Sequence, residues 1–525
     1  MGSPERARTC LRSAPLILVL VMSAGAQTPT QLAIDAGQSV GAIDLRRFSL
    51  GQGGLSPKLM IDAHLAELRA INPAYIRFFI QEYYNLLPAL NTYHWGTLDS
   101  ALDAMVATGA EPIPNICFKP RVLYPTINQD ITAPNNWAAW DTLVFRLVRH
   151  CLDKNYGIRY WEIGNEVDIG EDGGTPFRCT PSGYVQWYTH TANAVKRADP
   201  SAKVGGPALC CPFNGSIGSA LIAHCGAGNA PMDFYSWHAY GGGWGNTNGV
   251  KSMLSAYPSL SNVQTLISEW NVSLDPQPGN YQCGFCLETM RQYWSEGTTI
   301  TAYYHIRDWR VDPNDFVNIL SNPSYMANFW NGATPRGGLW DFDGRKTPIY
   351  YVFLWLSKMT GTQVRSTGAN SDIRSFAVKN GTSIYAIVWN FGSGTSYNVT
   401  MSVSGVSAGT YTLKKLNYST IHDDVVRSGA VSGLSTNPPV VTLGRYDIAW
   451  LEITPDSNAV ATPLKGFPDI SFGGRNVALY DVRGCRVSRA GLGQDNAATR
   501  VNGVLFAVPQ SGHTSRGVKT IVVSR

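Results

Sequence analysis

Beyond residue 26 the sequence holds no apolar run long enough to cross a bilayer, which excludes a chain threaded through a membrane by its later segments. No Gly-x-Gly-x-x-Gly follows the first strand candidate, so a doubly wound dinucleotide-binding sheet lacks its usual signature. Solenoid-type repeats and low-complexity tracts are missing as well. His224-Cys225 and Cys210-Cys211 fit none of the regular zinc spacings, and neither a metal nor another cofactor is expected. Positive charge is neither large nor concentrated. The formal net charge is +5, of which Arg6, Arg8 and Arg12 against Glu5 supply +2, leaving +3. That is too small and too dispersed for a nucleic-acid partner.

What is present starts with size. A chain of 525 residues exceeds one ordinary core, so one large domain and at least one smaller one are expected. Residues 1–26 read as a secretory signal: a basic start, the apolar run "APLILVLVMSAGA", and the small-x-small pattern Ala24-Gly25-Ala26. Its removal would leave a soluble exported protein. In an oxidising compartment Cys179, Cys210, Cys211, Cys225, Cys283 and Cys286 become candidate disulfide partners of undetermined connectivity. Cys283-Gly-Phe-Cys286 reads as a structural staple rather than a redox site. The 15 Trp and 25 Tyr supply flat apolar rings that pack cores and also suit the faces of sugars.

From residue 45 to about 360, short β-like runs alternate with helical stretches. The strand candidates are "RFSLG" (47–51), "AYIRFFI" (74–80), "EPIPNIC" (111–117) and "IRYWEIG" (158–164), then "AKVGGPA" (202–208), "MDFYSWHAY" (232–240), "VQTLISEW" (263–270) and "TITAYYHI" (299–306). Between them lie segments apolar at i, i+3, i+4, including 97–109, 138–154 and 182–200, the last with Ser182 as its expected cap. Eight such alternations predict an α/β protein built on a (β/α)8 TIM barrel over 27–360. Residues 361–455 switch to short alternating runs with Gly/Ser/Asn turns, which predicts an antiparallel β-sandwich. A polar, Pro-containing linker over 456–466 precedes a C-terminal β module at 467–525.

The stretch "YWEIGNEVDIG" (160–170) places Asn165 and Glu166 straight after an apolar run. Taken alone, that is a strand end handing over to a polar turn. Cleaving a glycosidic bond requires a carboxylic acid for the leaving oxygen and a second carboxylate for the anomeric carbon. Glu166 ends the fourth strand candidate and Glu269 the seventh, and a barrel brings such ends to one face. His238 and Tyr240 in "SWHAY" share one side of the sixth strand. His238 by itself reads first as a satisfied core histidine. Arg77, inside apolar "AYIRFFI", demands a buried partner such as Glu269, and that pairing would keep Glu269 ionised.

These stretches carry a resemblance. The chain resembles glycoside hydrolase family 39, the retaining TIM-barrel group of β-xylosidases and α-L-iduronidase. "YHWGTLDSALDAMVATGAEPIPNICFKP", "YGIRYWEIGNEVD", "VKRADPSAKVGGPAL", "MDFYSWHAY", "LISEWNVS" and "GGLWDFDGRKTPIYYVFLWLSKMTG" carry it in order across about 45–365. The resemblance implies Glu166 as acid/base, Glu269 as nucleophile, Asn165 on the substrate's 2-hydroxyl, and Tyr240 beside the nucleophile. Trp270, Tyr304 and Trp309 complete the expected substrate-binding set, with Trp244 a further stacking candidate. The sequence departs from the family's Trp-Asn-Glu-Pro-Asn at Gly164 and Val167. Gly164 is therefore expected to open space at the leaving-group side, favouring a groove. "YYHIRD" adds His305 and Arg307; Lys119 and Arg307 read first as loop residues paired with local acids, with a basic subsite for a uronate as the alternative.

The expected function is a secreted retaining glycoside hydrolase acting on plant-type polysaccharides or oligosaccharides. The rival is a non-catalytic carbohydrate-binding surface protein. "LYDVRGCRV", "GVLFAV" and "KTIVVSR" resemble immunoglobulin-like sorting modules, which implies secretion machinery as a partner. A sugar-binding module is the other reading of that tail.

Overall fold

The computed structural model describes residues 27–53, 59–126, 133–173, 177–213, 215–241, 246–317, 320–333, 335–406, 408–455, 477–480 and 506–509. All eight strand candidates form one closed parallel barrel: Phe48–Gly51, Tyr75–Ile80, Glu111–Ile116, Tyr160–Ile163, Lys203–Leu209, Phe234–Tyr240, Gln264–Asn271 and Ile300–Tyr304. Alternation sorts their side chains. Ile113, Tyr160, Phe234, Leu266 and Ile300 form a small apolar cluster of their own, distinct from the large strand–helix core. Outward residues such as Trp161 and Ile163 meet the surrounding helices in that larger core.

The helices form where apolar residues repeat every three or four positions. In Trp137–Asp153, Trp140, Leu143, Val144, Leu147, Val148 and Cys151 are buried on one face, and Asn136 caps the start by accepting from Ala139 N. Leu147 is fully buried, so Leu147→Ala would cost about 2–5 kcal/mol. The helix Pro181–Ala198 is capped by Thr180, whose Oγ1 accepts from Gly183 N at 3.1 Å, not by Ser182. Pro181 explains the shift. Proline suits the first helical position, where its missing N–H has no partner to lose.

Two expectations change in the β domain. It is a nine-stranded sheet rather than a purely antiparallel unit of 361–455, because the strand Thr28–Asp44 belongs to it and not to the barrel. That strand pairs antiparallel with Thr360–Gly368 and parallel with Tyr397–Ser404. Leu32, Ile34 and Ala36 alternate inward and pack with Val364, Val399 and Met401. The signal was present, but its pairing partners lie in the distant second domain. Trp450 stacks on Trp355 of the barrel-closing helix Pro348–Leu356 at 5.8 Å and on Tyr385 at 5.4 Å.

The eight described cysteines are free thiols, which overturns the expected disulfides. Cys283 and Cys286 sit one turn apart on the helix Gly279–Ser295 and are buried in the core, where they pack as small apolar residues. Among the described residues no helix is long and apolar enough to cross a membrane. In the C-terminal unit Val477–Tyr480 pairs antiparallel with Phe506–Pro509. The linker at 456–466, the signal at 1–26 and the rest of the expected sorting module lie outside the described residues.

Candidate active site

At the carboxyl ends of the strands a cavity of about 230 Å³ opens onto Glu166 and Glu269. The second strand contributes Phe79, with Gln81 just beyond it, and the eighth contributes Tyr304. The helix Pro323–Asn331, in the connection after the eighth strand, contributes Tyr325, Met326, Phe329 and Trp330.

Glu269 stands in the seventh strand opposite His238 of the sixth. Arg77 Nη1 donates to its Oε2 at 3.1 Å, and Tyr240 Oη donates to its Oε1 at 2.5 Å. Glu166 lies in the turn after the fourth strand with φ of 45°, a left-handed conformation uncommon for a residue with a side chain. Its amide donates to Ala208 O at 2.8 Å, and its carbonyl accepts from Ile169 N and Gly170 N. Such strain at a reactive position is sustained by the surrounding structure. Gly173 has to lack a side chain, since a Cβ there would stand 2.1 Å from Glu166 Oε2.

His238 links the two acids, its Nδ1 being 2.8 Å from Glu166 Oε1 and 3.8 Å from Glu269 Oε2. Atoms of Glu166, His238 and Glu269 able to bind a cation all lie within 4.8 Å of one another. The Arg77 guanidinium already supplies positive charge beside them.

Burial pushes Glu166 up to about 8, Asp168 adds to the rise, and Arg77 opposes it. Burial also pulls His238 down to about 4 against the attraction of Glu269, so its imidazole is neutral near pH 7. Glu269 is likewise raised by burial, with His238, Arg77 and Tyr240 opposing the rise and Glu166 adding to it. Of the two, only Glu269 touches a guanidinium. The proton therefore rests on Glu166 and the charge on Glu269.

Arg77 also reaches a residue that the sequence reading missed. Its Nε donates to Glu162 Oε2 at 2.6 Å, and its Nη2 donates to Asn165 Oδ1 at 2.6 Å. Burial alone would raise Glu162, yet Arg77, Ser268, Asn115 and Ser236 outweigh it and hold the carboxyl below its ordinary value. Arg77 thus serves two carboxylates rather than Glu269 alone. The clue was an acid inside apolar "YWEI", the mirror of Arg77 inside "AYIRFFI". Neither charge could be buried singly.

Other expected contacts move. Trp270 is fully buried, donating Nε1–H to Thr301 Oγ1 at 2.9 Å and meeting Tyr293 and Tyr303 edge-on. Successive strand residues face opposite sides, so with Glu269 inward Trp270 faces the helices. Trp309 stands behind the cavity wall, 4.5 Å from Trp330, and it is Trp330 that faces the cavity. Asn165 is buried and does not line the cavity, its Oδ1 being held by Arg77.

Gly164 opens nothing, since a Cβ there would meet Val167, Tyr184 and Trp187 in the core. The basic subsite does not form either. Lys119 lies 4.8 Å from the Phe177 ring centroid, Arg307 Nη1 is directed at Asp62 O, and neither lines the cavity. His305 is buried with Asp308 at 2.8 Å. Trp244 lies outside the described residues.

The chain is 30% identical over 162 residues to a β-xylosidase of Geobacillus stearothermophilus, covering 28% of this chain and 31% of that one. It is 23% identical over 337 residues to a β-xylosidase of Caldicellulosiruptor saccharolyticus, covering 57% and 64%. The match thus spans less than two thirds of either curated relative. The crystal structure of the GH39 enzyme from Xanthomonas axonopodis pv. citri shares the fold with a TM-score of 0.64 at 19% identity, over 83% of this chain and all of that one. The sequence profile of Glycosyl hydrolases family 39 matches residues 88–393, more than half of the chain, and the protein therefore belongs to that family.

Proposed function

We propose that the protein cleaves xylosidase-type O-glycosidic bonds of plant-type oligosaccharides or polysaccharides by double displacement with retention. The observation that carries this reading is the approach of Glu166 and Glu269, with atoms inside 4.8 Å. Retention requires carboxyl groups roughly 5–5.5 Å apart, whereas inversion needs roughly 6.5–9.5 Å to admit water. Glu166, protonated at neutral pH, delivers its proton to the leaving oxygen as Glu269 attacks the anomeric carbon. Glu166 then takes a proton from water, which opens the glycosyl ester. Tyr240 and Arg77 hold Glu269 and take up its changing charge. The names of the two curated relatives support xylose as the first sugar to test.

The cavity's small volume favours release of single sugars over cleavage within a polymer. The leader-like residues 1–26 and the tail at 467–525 support export through a secretion system. The test is ¹H NMR of aryl xyloside hydrolysis, in which the first sugar formed keeps the substrate's anomeric configuration. Glu269→Gly with azide should give the glycosyl azide of opposite configuration. Binding of xylo-oligosaccharides with no reducing ends released would instead favour the non-catalytic carbohydrate-binding reading.

A further inference from the structure

Glu162 is a buried acid with no part of its own in the two displacement steps. It stands in the fourth strand, ahead of Glu166, with none of its surface exposed, and it does not line the cavity. Yet it takes the shorter arm of the Arg77 guanidinium. Arg77 Nε donates to Glu162 Oε2 at 2.6 Å, whereas Nη1 reaches Glu269 Oε2 at 3.1 Å. Asn115 Nδ2 donates to the same Glu162 oxygen at 2.6 Å and to Gly164 O at 2.6 Å, which ties the carboxylate to the turn that carries Glu166. Ser236 and Ser268, from strands six and seven, help to keep Glu162 charged.

The balance of charge shows what this acid does. Glu166 carries its proton and His238 is neutral near pH 7, so the ion pairs of this inner group are those of Arg77 with Glu162 and Glu269. In the free enzyme these three groups sum to one negative charge. Once Glu269 becomes a neutral glycosyl ester, Arg77 and Glu162 remain and cancel. Without Glu162 the order reverses. The free enzyme would hold a matched Arg77–Glu269 pair, and the ester would leave a guanidinium buried without a counter-charge. A carboxylate fully matched by a cation is a poorer nucleophile, and an uncompensated buried charge is costly. Both effects slow formation of the ester. Its hydrolysis gains, because departure of Glu269 restores the pair.

We propose that Glu162 is a positioning residue that occupies Arg77 throughout the reaction, leaving Glu269 only partly paired as the attacking carboxylate and leaving no uncancelled charge beside the glycosyl ester. It acts through Arg77 and touches no substrate. The inference rests on the double-displacement reading, and its test separates the two. The probe is 2-deoxy-2-fluoro-β-xylosyl fluoride, applied to the full chain. A Glu269 oxygen bonds to the anomeric carbon, the carbon–fluorine bond breaks, and fluoride leaves with the electron pair. The ester that results is hydrolysed slowly by water, which returns Glu269 as a carboxylate.

Ester formation is followed as loss of activity and by intact mass, and ester hydrolysis as its return after excess probe is removed. In Glu162→Gln the side chain keeps its shape and an oxygen for Arg77 and Asn115, but not its charge. Formation should slow at least tenfold while hydrolysis of the ester quickens at least threefold. Glu162→Asp keeps the charge and should hold the ratio of the two rate constants within fivefold of the wild type. Both constants are first-order, so they are read on whatever active enzyme survives, even from a poorly folding variant. Equal slowing of both steps in Glu162→Gln would reduce Glu162 to a structural residue and overturn the proposal. A Glu162→Asp ratio shifted as far as that of Glu162→Gln would overturn charge as the cause. A wild-type protein that forms no ester on Glu269 would overturn the underlying reading itself.

Discussion

Around Glu269 the barrel gathers a guanidinium, a phenol and an imidazole, whereas Glu166 meets His238, the bare backbone of Gly173 and the apolar wall from Ile169 to Met326. Both carboxyls are raised by burial and Arg77 opposes both rises, but only the first is hydrogen-bonded to its guanidinium. One side-chain type is thereby split into a charged partner and a proton carrier by what surrounds it. The polar half of the mouth is built by strands two, six and seven. The apolar half comes from the turn after strand four and the helix after strand eight. Specificity can drift in the second half without disturbing the charge arrangement of the first.

The comparison breaks most sharply at Glu269. Glu269→Gly should lower kcat by about 10⁴-fold or more on every substrate, good leaving groups included. Glu166→Ala should cost roughly 10²–10⁴-fold on alkyl glycosides and much less on glycosyl fluorides, whose departure needs no proton. Equal losses on both substrates would erase the division of roles. Arg77→Met strips the polar half of its cation and leaves Glu162 and Glu269 buried without it. Unfolding free energy should fall by about 3–5 kcal/mol in denaturant titration.

The pH profile tests the apolar half. Glu166 has to carry its proton, so kcat/KM should hold below about 8 and fall as pH rises through that value. Asp168 contributes to the raised value, so Asp168→Asn should move this basic limb to lower pH. A limb that stays put would show that burial alone sets it. The smallest effect belongs to Trp270→Phe, which loses the bond to Thr301. It should cost about 1 kcal/mol of stability, and a kcat/KM change beyond about twofold would contradict a purely structural Trp270.

The charged members of this site were legible because charge inside an apolar strand is conspicuous and has one physical explanation. Arg77, Glu166 and Glu269 announced themselves in that way, and Glu162 would have done so by the same test. Aromatic residues carry no such mark. Trp270 and Trp309 look like stacking platforms in sequence, and only strand alternation in one case and the shielding Trp330 in the other place them in the interior. The eight barrel strands were legible because each is followed by its own helix within a short stretch of chain. Thr28–Asp44 was assigned to the wrong domain because a strand's partners are not written beside it. The helix Pro323–Asn331 carries its start signal in Asn322 and Pro323, but nothing local shows that it walls the cavity.

The pairing of Asp44 with Thr360 and of Leu32 with Gly368 has a consequence in time. This strand is made early, yet both neighbours in its sheet appear only after the whole barrel has been synthesised. At ribosomal speed that interval is on the order of tens of seconds. During it, Leu32 and Ile34 belong to a segment with no sheet to join, and the nascent chain has every barrel strand before it has a finished second domain. Deleting residues 28–44 should therefore leave a barrel able to form with a β domain that lacks the strand joining Thr360–Gly368 to Tyr397–Ser404.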